Sequence, residues 1–180
     1  MSNIYTKKNI VFIGYMASGK STISQKIAQS LKFEWFDTDK IIENKFNDSI
    51  ENIFNSHGEL FFRKNEHLIF KELLQANEYS VISTGGGLPC YYNNHEWFKN
   101  ENVLSIYLQY HSKTLAERLK NEKSKRPLVK NLKNDELEEY IAKHLFERSF
   151  YYLQAKHIIT CDEKSVDEIV EECLSLVLSP

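Results

Sequence analysis

The sequence is poor in cysteine, proline and glycine, with three, three and six of these residues in 180. Cys90, Cys161 and Cys173 are odd in number and far apart, so they predict neither a disulfide framework nor a paired metal motif. Reduced thiols are typical of cytosolic proteins. No apolar run reaches the length of about 18 residues that spans a membrane. The first apolar run, at residues 10–13, is too short for a signal peptide. We therefore expect a cytoplasmic protein that has no membrane partner.

Neither sign of charge dominates, since 23 lysines and arginines stand against 25 aspartates and glutamates, for a net charge of −2. This balance lacks the global basic signature of proteins that bind nucleic acid. The sequence contains no internal repeat and no low-complexity segment. A hydrophobic content of 42% and a charged content of 27% are typical of a globular protein. The length predicts one domain over residues 1–180 with a sizeable core.

Residues 14–21, Gly-Tyr-Met-Ala-Ser-Gly-Lys-Ser, match the phosphate-loop pattern G-x-x-x-x-G-K-[ST] at every fixed position. The apolar run at residues 10–13 predicts a buried strand before the loop, and residues 22–31 predict an amphipathic helix after it. A chance match is disfavoured because the pattern stands between a strand and a helix. Lys20 is expected to reach the β- and γ-phosphates of a nucleotide, and the Ser21 hydroxyl to bind Mg²⁺.

Residues 33–36 predict a second strand that ends at Asp37-Thr38-Asp39, after which a helical pattern resumes at residue 40. Two explanations of this triplet remain open. Aspartate and threonine are good helix N-caps. Carboxylates at the carboxyl end of a strand in an open α/β sheet also lie where ligands bind.

A short helix is predicted over residues 47–56, and a longer one over residues 59–75, with a break at Gly58. The apolar face assigned to the longer helix includes Leu60 and Leu68. Arg63 and Glu66 lie three residues apart on this helix. From spacing alone they could form a surface ion pair worth a few tenths of a kcal/mol, about 0.2–0.5.

Residues 79–83 predict a third strand, which runs into Thr84-Gly85-Gly86-Gly87. Three consecutive glycines allow a backbone to pass very close to a ligand and to offer unobstructed N–H donors. A loose turn is the alternative. Half of the glycines in the chain are concentrated here, which favours a functional role.

Residues 121–134 are polar and rich in lysine, with Arg126-Pro127-Leu128 in the middle. A solvated loop is one explanation of this composition. A nucleic-acid tail is disfavoured because no aromatic residues alternate with the charges. A third explanation is a mobile lid that brings cations over a transferred phosphate.

The remaining pattern predicts two more strands and three more helices. The strands are at residues 103–108 and 157–160, and the helices at residues 112–120, 135–155 and 166–178. The alternation predicts an α/β protein with a five-stranded parallel sheet and helices on both faces.

With these motifs in this order, the chain resembles the shikimate kinases, and the resemblance runs nearly from end to end. Six segments carry it: the phosphate loop, Asp37-Thr38-Asp39, residues 49–66, Gly85-Gly86-Gly87, Arg126-Pro127-Leu128, and Arg148 with Tyr152. The resemblance implies a three-layer P-loop kinase fold with a substrate-binding segment at about residues 37–66 and a lid at about residues 118–133.

The resemblance also implies residue roles. In the catalytic set, Asp39 accepts a hydrogen bond from the attacking hydroxyl, Lys20 holds the phosphates, and Arg126 closes from the lid. The implied nucleotide site comprises Gly14, Ala17, Ser18, Gly19, Lys20, Ser21, Thr22, Arg118 and Arg126. The implied acceptor site comprises Asp39, Arg63, Gly85, Gly86, Gly87 and Arg148. Ser21 and Asp37 are implied to hold Mg²⁺, with Asp37 acting through water.

The expected reaction is therefore the transfer of a phosphoryl group from ATP, with Mg²⁺, to the 3-hydroxyl of shikimate. A gluconate kinase or a nucleoside monophosphate kinase is the nearest alternative, and a nucleotide-binding switch without an acceptor is the alternative from another class. The expected partners are small molecules only, ATP and shikimate. A monomer is expected because no exposed apolar stripe stands out in the sequence.

Overall fold

The computed structural model describes residues 9–76, 79–120, 129 and 132–178. Five strands form one parallel sheet in the spatial order β2-β3-β1-β4-β5. Their bounds are β1 Asn9–Ile13, β2 Glu34–Asp37, β3 Ser80–Ser83, β4 Val103–Gln109 and β5 His157–Thr160. The predicted five-stranded parallel sheet is confirmed.

Six α-helices are described: α1 Lys20–Leu31, α2 Thr38–Phe46, α3 Ile50–Ala76, α4 Ser112–Lys120, α5 Leu137–Tyr152 and α6 Val166–Leu178. The predictions for α4, α6 and β5 match to the residue, and the other predicted bounds differ by up to three residues. Two short 3-10 helices, Leu88–Cys90 and Asn94–Lys99, were not predicted. They lie in the polar and aromatic stretch after the triple glycine, which has no clear period.

Helices cover both faces of the sheet, as predicted. Ile10 and Phe12 of β1 pack into one core cluster, together with apolar residues of α1, α4 and α6. Val11 and Ile13 point the opposite way, into a second cluster with residues of α2 and α3. The alternation of strand side chains thus divides the core into two layers with the sheet between them.

Gly58 marks a kink in α3, because its φ of 80° and ψ of 168° are not helical. The predicted break at this residue is confirmed, since α3 consists of two helical segments that meet at the kink. Leu60, assigned to an apolar face by its spacing, is instead 75% exposed, and Leu68 is 47% exposed. Those two assignments were wrong because the buried face of this part of α3 is formed by Phe62, Glu66, Ile69, Phe70 and Leu73, and Leu60 and Leu68 lie outside it.

The strand order brings three loops to one edge of the sheet. β3 lies between β1 and β2, with Ser83 in register with Phe12 on one side and with Asp37 on the other. Because the strands are parallel, the segments that follow β1, β2 and β3 leave the sheet at the same edge. These segments are the phosphate loop, the start of α2 and the triple glycine.

Candidate active site

The phosphate loop joins β1 to α1 through a tight backbone path. Gly14 has a φ of 154°, and a β-carbon there would lie 2.9 Å from both the Leu108 carbonyl oxygen and the Ser18 hydroxyl oxygen. Glycine is therefore required at this position by space. Ala17 has a φ of 60°, in the left-handed region that favours glycine. The loop places the first N–H groups of α1 around one point, which favours an anion there.

Lys20 is the first residue of α1, and its side chain folds back over the loop. Its Nζ donates to the Tyr15 carbonyl oxygen at 2.8 Å and to the Ser18 hydroxyl at 3.4 Å. The side chain is largely buried. A buried ammonium at a helix N-terminus concentrates positive charge where phosphates would bind.

Ser21, in the first turn of α1, contacts Asp37, the last residue of β2. The Ser21 hydroxyl donates to Oδ2 of Asp37 at 2.7 Å and lies 3.3 Å from the Ser83 hydroxyl. Asp37 is also the N-cap of α2, since its Oδ1 accepts from the backbone N–H groups of Asp39 and Lys40. The N-cap explanation of the Asp-Thr-Asp triplet is therefore confirmed for Asp37, while its ligand-binding explanation stays a prediction. Hydroxyl and carboxylate oxygens are the ligands that Mg²⁺ takes, with water and phosphate completing the shell.

The triple glycine is anchored before it reaches the site. The Thr84 hydroxyl donates to the Phe12 carbonyl oxygen at 2.9 Å, and the Gly85 N–H donates to the Thr38 hydroxyl at 2.9 Å. These bonds hold the segment between β1 and the start of α2. Tyr152, at the end of α5, donates its hydroxyl to the Gly86 carbonyl oxygen at 2.6 Å.

Each of the three glycines faces a different part of the site. A β-carbon on Gly85 would collide with Oε1 of Glu66 and lie 2.7 Å from Oδ1 of Asp39. On Gly86 it would lie 3.4 Å from backbone atoms of the phosphate loop. On Gly87 it would lie 2.5 Å from Nη2 of Arg63. The absence of side chains at these positions is what lets the carboxylates, the guanidinium and the phosphate loop converge.

Arg63 and Glu66 form a buried ion pair, so the surface pair considered from their spacing was wrong. Nη1 of Arg63 donates to Oε2 of Glu66 at 2.7 Å, and the exposed side-chain fractions are 6% and 1%. Nε of Arg63 also lies 3.3 Å from Oε1 of Glu59. The guanidinium carbon of Arg63 is 4.7 Å from the ring centre of Tyr91, a distance that allows a cation–π interaction.

Glu66 is an unusual carboxyl group. Burial raises its pKa to about 7, against the opposing effect of Arg63, while Asp39 adds to the increase. Its Oε1 has no hydrogen-bond partner among the described residues. The Glu66 carboxyl therefore has a pKa close to neutral pH, and it lies beside Gly85, on the side where Asp39 also points. The sequence analysis did not include Glu66 among the site residues, although its spacing from Arg63 was a usable signal.

Arg148 lies on α5 and contacts the phosphate loop at Tyr15. Its guanidinium carbon is 5.6 Å from the ring centre of Tyr15. Burial raises the pKa of the Cys90 thiol, and the positive charges of Arg148 and Arg63 both act against that increase. Guanidinium groups such as those of Arg63 and Arg148 can each hold a carboxylate through paired N–H donors.

Arg118 is the remaining arginine that the structure describes near the loop. Its Nη1 donates to the Ala17 carbonyl oxygen at 3.4 Å, and its guanidinium carbon lies 4.2 Å from the ring centre of Tyr110. It is therefore beside the nucleotide loop, on α4. Arg126 and the rest of Arg126-Pro127-Leu128 lie outside the described residues.

No helix in the described part of the chain is both long and apolar enough to cross a membrane.

Comparisons with known proteins agree with this geometry. The sequence model of the shikimate kinase family matches residues 16–178. A shikimate kinase from Flavobacterium johnsoniae is 46% identical over 170 residues, which cover 94% of this chain and 99% of that protein. The shikimate kinase of Flavobacterium psychrophilum is 47% identical and covers 92% of this chain and 96% of its own.

Solved structures give the same result. A crystal structure of shikimate kinase from Bacteroides thetaiotaomicron has a TM-score of 0.84 and 30% identity, with 94% of this chain and 98% of that chain covered. The shikimate kinase of Acinetobacter baumannii, solved in complex with shikimate, has a TM-score of 0.86 and 28% identity, with coverage of 97% and 94%. With the family match over nearly the whole length, this chain belongs to the shikimate kinase family.

Proposed function

We propose that this chain phosphorylates the 3-hydroxyl of shikimate with ATP at the sheet edge where β1, β2 and β3 end. Membership of the family supports the reaction itself, which is a step in the biosynthesis of aromatic amino acids. The observation that supports this location is the triple glycine, whose glycines face Asp39, the phosphate loop and Arg63 in turn. ATP bound at the phosphate loop and shikimate bound between Asp39 and Arg63 would meet at this segment.

The nucleotide phosphates are proposed to bind at the N-terminus of α1. Lys20 would turn from the Tyr15 carbonyl to the β- and γ-phosphates, with backbone N–H groups of residues 14–22 around them. The proposed nucleotide site includes further residues because they lie in or next to this loop: Ala17, Ser18, Gly19 and Thr22. Arg118 would lie along the nucleotide, since it already contacts the Ala17 carbonyl oxygen.

Mg²⁺ is proposed to bind at Ser21 directly and at Asp37 through water. The 2.7 Å contact between these side chains and the nearby Ser83 hydroxyl offer only hard oxygen ligands, which fit this ion. When bound, Mg²⁺ would neutralise part of the charge on the β- and γ-phosphates.

The acceptor carboxylate is proposed to bind Arg63 and Arg148, which can each offer paired N–H donors. Asp39 would accept the proton of the acceptor hydroxyl as its oxygen attacks the γ-phosphorus, while the bond from that phosphorus to the bridging oxygen breaks and ADP leaves. Gly85, Gly86 and Gly87 would close the site around the ring. Because little covalent chemistry falls to the protein in such a transfer, positioning and charge account for most of the catalysis.

The whole chain is proposed to act as one domain, residues 1–180, with residues 37–66 as the substrate-binding segment. Residues 118–133 are proposed as a lid, with Arg126 over the transferred phosphoryl group. Exclusion of water by a lid would limit hydrolysis of ATP. We propose a monomer as the functional unit.

The proposed acceptor distinguishes this chain from other small-molecule kinases. The complex of the Acinetobacter baumannii relative with shikimate supports shikimate as the acceptor. A nucleoside monophosphate kinase or a nucleotide-binding switch would leave the buried Arg63 and the Asp39 carboxylate without a role. Gluconate also carries a carboxylate and hydroxyl groups, so a gluconate kinase is distinguished by the choice of acceptor in the test.

The test is the release of ADP from Mg·ATP with shikimate, gluconate or AMP, and without an acceptor. We expect turnover with shikimate only, and a phosphorylated product of equal amount to the ADP. Equal rates with all three acceptors, or ADP release that is indifferent to them, would contradict the acceptor assignment. Turnover with gluconate or AMP alone would replace it by the corresponding kinase.

A further inference from the structure

Tyr15 is the second residue of the phosphate loop, and its side chain is almost completely buried away from the phosphates. Its backbone carbonyl holds Lys20, but its ring and hydroxyl face α5. The hydroxyl oxygen is 3.1 Å from Nδ1 of His144. The two rings meet edge to face, with centres 6.2 Å apart.

Both side chains of this contact are uncharged at neutral pH. Burial raises the pKa of Tyr15, so its hydroxyl keeps its proton throughout the physiological range. The pKa of His144 is lowered, first by burial and then by the nearby Arg148 and Lys143, while Glu147 and Glu59 act the other way. At neutral pH the imidazole is therefore uncharged, so the contact is a hydrogen bond between two neutral side chains.

His144, Arg148 and Tyr152 are spaced four residues apart and so share one face of α5. His144 contacts the Tyr15 hydroxyl, Arg148 lies over the Tyr15 ring at 5.6 Å, and Tyr152 donates to the Gly86 carbonyl oxygen. This face of α5 therefore docks on the phosphate loop and on the triple glycine. Tyr15 contacts two of its three residues.

We propose that Tyr15 is a positioning residue for Arg148, because its ring supports the guanidinium and its bond to His144 holds α5 against the phosphate loop. The inference rests on the proposed role of Arg148 in binding the acceptor carboxylate. Tyr15 and His144 then set the affinity for the acceptor through Arg148. A phosphate-loop side chain would in this way serve the acceptor site, while its backbone serves the nucleotide site.

A purely structural role for Tyr15 makes a different prediction. Its ring belongs to a core cluster with Phe12 and Ile23, so a space-filling residue would affect stability alone. A positioning role instead changes the KM for shikimate and leaves the KM for ATP and kcat near the wild-type values.

The experiment measures both KM values, kcat and Tm for Tyr15→Phe, His144→Leu and the double variant. Loss of one neutral hydrogen bond predicts an increase of about three- to tenfold in the KM for shikimate for each single variant. Since both changes remove the same hydrogen bond, the KM for shikimate of the double variant should not exceed that of the more affected single variant. Tyr15→Leu, which also removes the ring below Arg148, should show a larger increase than Tyr15→Phe.

Several results would overturn the inference. These are an unchanged KM for shikimate with a lower Tm, an equal increase in both KM values, or independent effects of the Tyr15 and His144 changes. The Tyr15→Phe variant keeps the ring, so a failure of Tyr15→Leu to fold would not affect the comparison.

Arg148→Ala and its control Lys143→Ala, which removes an exposed cation from the same helix, separate this inference from the proposed function. If Arg148→Ala raises the KM for shikimate and the Tyr15 variants do not, the inference fails and the function stands. If Arg148→Ala has no effect, the acceptor role of Arg148 and the inference fail together. If the wild-type protein does not phosphorylate shikimate, the proposed function fails and the inference with it.

Discussion

Nη1 of Arg63 and Oε2 of Glu66 lie 2.7 Å apart in the interior of the protein, one turn apart on α3. The other oxygen of Glu66 has no hydrogen-bond partner among the described residues. The Arg63–Glu66 ion pair therefore leaves one carboxyl oxygen available for a further hydrogen bond. It presents a guanidinium to Gly87 and a carboxyl oxygen to Gly85, on either side of the proposed acceptor site.

Arg63→Ala should weaken acceptor binding, since the acceptor carboxylate would lose a buried cation. Truncation of one partner of a buried charge pair costs about 2–5 kcal/mol, which corresponds to an increase of roughly 30- to 5,000-fold in the KM for shikimate, while the KM for ATP changes little. Steady-state kinetics with each substrate varied in turn would measure both. Lys64→Ala, an exposed cation on the next residue, is the control and should match wild type. An unchanged KM for shikimate would remove Arg63 from the acceptor site.

The pKa of Glu66 makes the stability of the protein depend on pH. The folded state raises this pKa from 4.5 to about 7, so between these values the folded protein binds more protons than the unfolded chain. The contribution of Glu66 to the free energy of unfolding therefore falls as pH rises from about 4.5 to about 7, by up to roughly 3 kcal/mol, and is level above that range.

Denaturant titrations of wild type and Glu66→Gln at several pH values would isolate this contribution. The stability of wild type minus that of Glu66→Gln should decline across the range and then stay constant. Asn65→Ala, which removes no titratable group from α3, should give a constant difference. A constant difference for Glu66→Gln as well would mean that the carboxyl is ionised throughout.

Asp39→Asn should lower kcat with little change in the KM for ATP, because the amide cannot accept the proton of the attacking hydroxyl. General-base catalysis typically contributes about 10²–10⁴-fold, which sets the expected loss. Rates at saturating ATP and shikimate are the measurement. Glu34→Gln, at an exposed position on β2, should have the wild-type rate. Near-normal turnover by Asp39→Asn would exclude Asp39 from the chemistry.

Asp37 allows its two proposed functions to be separated. Asparagine caps helices as well as aspartate does, so Asp37→Asn should keep the cap of α2 and lose the charge that holds Mg²⁺ through water. We expect the Mg²⁺ concentration for half-maximal activity to rise about 10–100-fold. Asp37→Ala should show the same increase and in addition lower the free energy of unfolding by about 1 kcal/mol. An unchanged Mg²⁺ requirement in both variants would place the ion elsewhere.

Ala17 predicts a stabilising substitution. Because its φ of 60° is unfavourable for a residue with a β-carbon, Ala17→Gly should raise the free energy of unfolding by about 1 kcal/mol, measured by denaturant titration. Ala142→Gly, on the exposed face of α5, has the opposite expectation, a loss of about 1 kcal/mol. If both variants lose stability equally, the conformation of Ala17 is not strained.

Much of this site could be predicted from residues close together in the chain. The phosphate loop, the capping aspartate and the triple glycine are local patterns, and their requirements for φ, space or a cap do not depend on distant residues. The Arg63 and Glu66 pair could not be judged in the same way. Spacing on a helix shows that two side chains can meet, whereas only the packing of α3 shows that they meet out of contact with water.

The sequence by itself determined the order of the strands and helices along the chain, the alternation that divides the core, and the glycine-containing turn from β1 into α1 at residues 14–21. Periodicity and turn chemistry are properties of short segments, which is why these predictions agree with the structure. The tertiary structure alone decided that Glu66 is buried, that Leu60 is exposed, and that Tyr15 faces His144 across 129 positions of sequence. Those outcomes depend on which surfaces the folded chain brings together, and no local pattern contains that information.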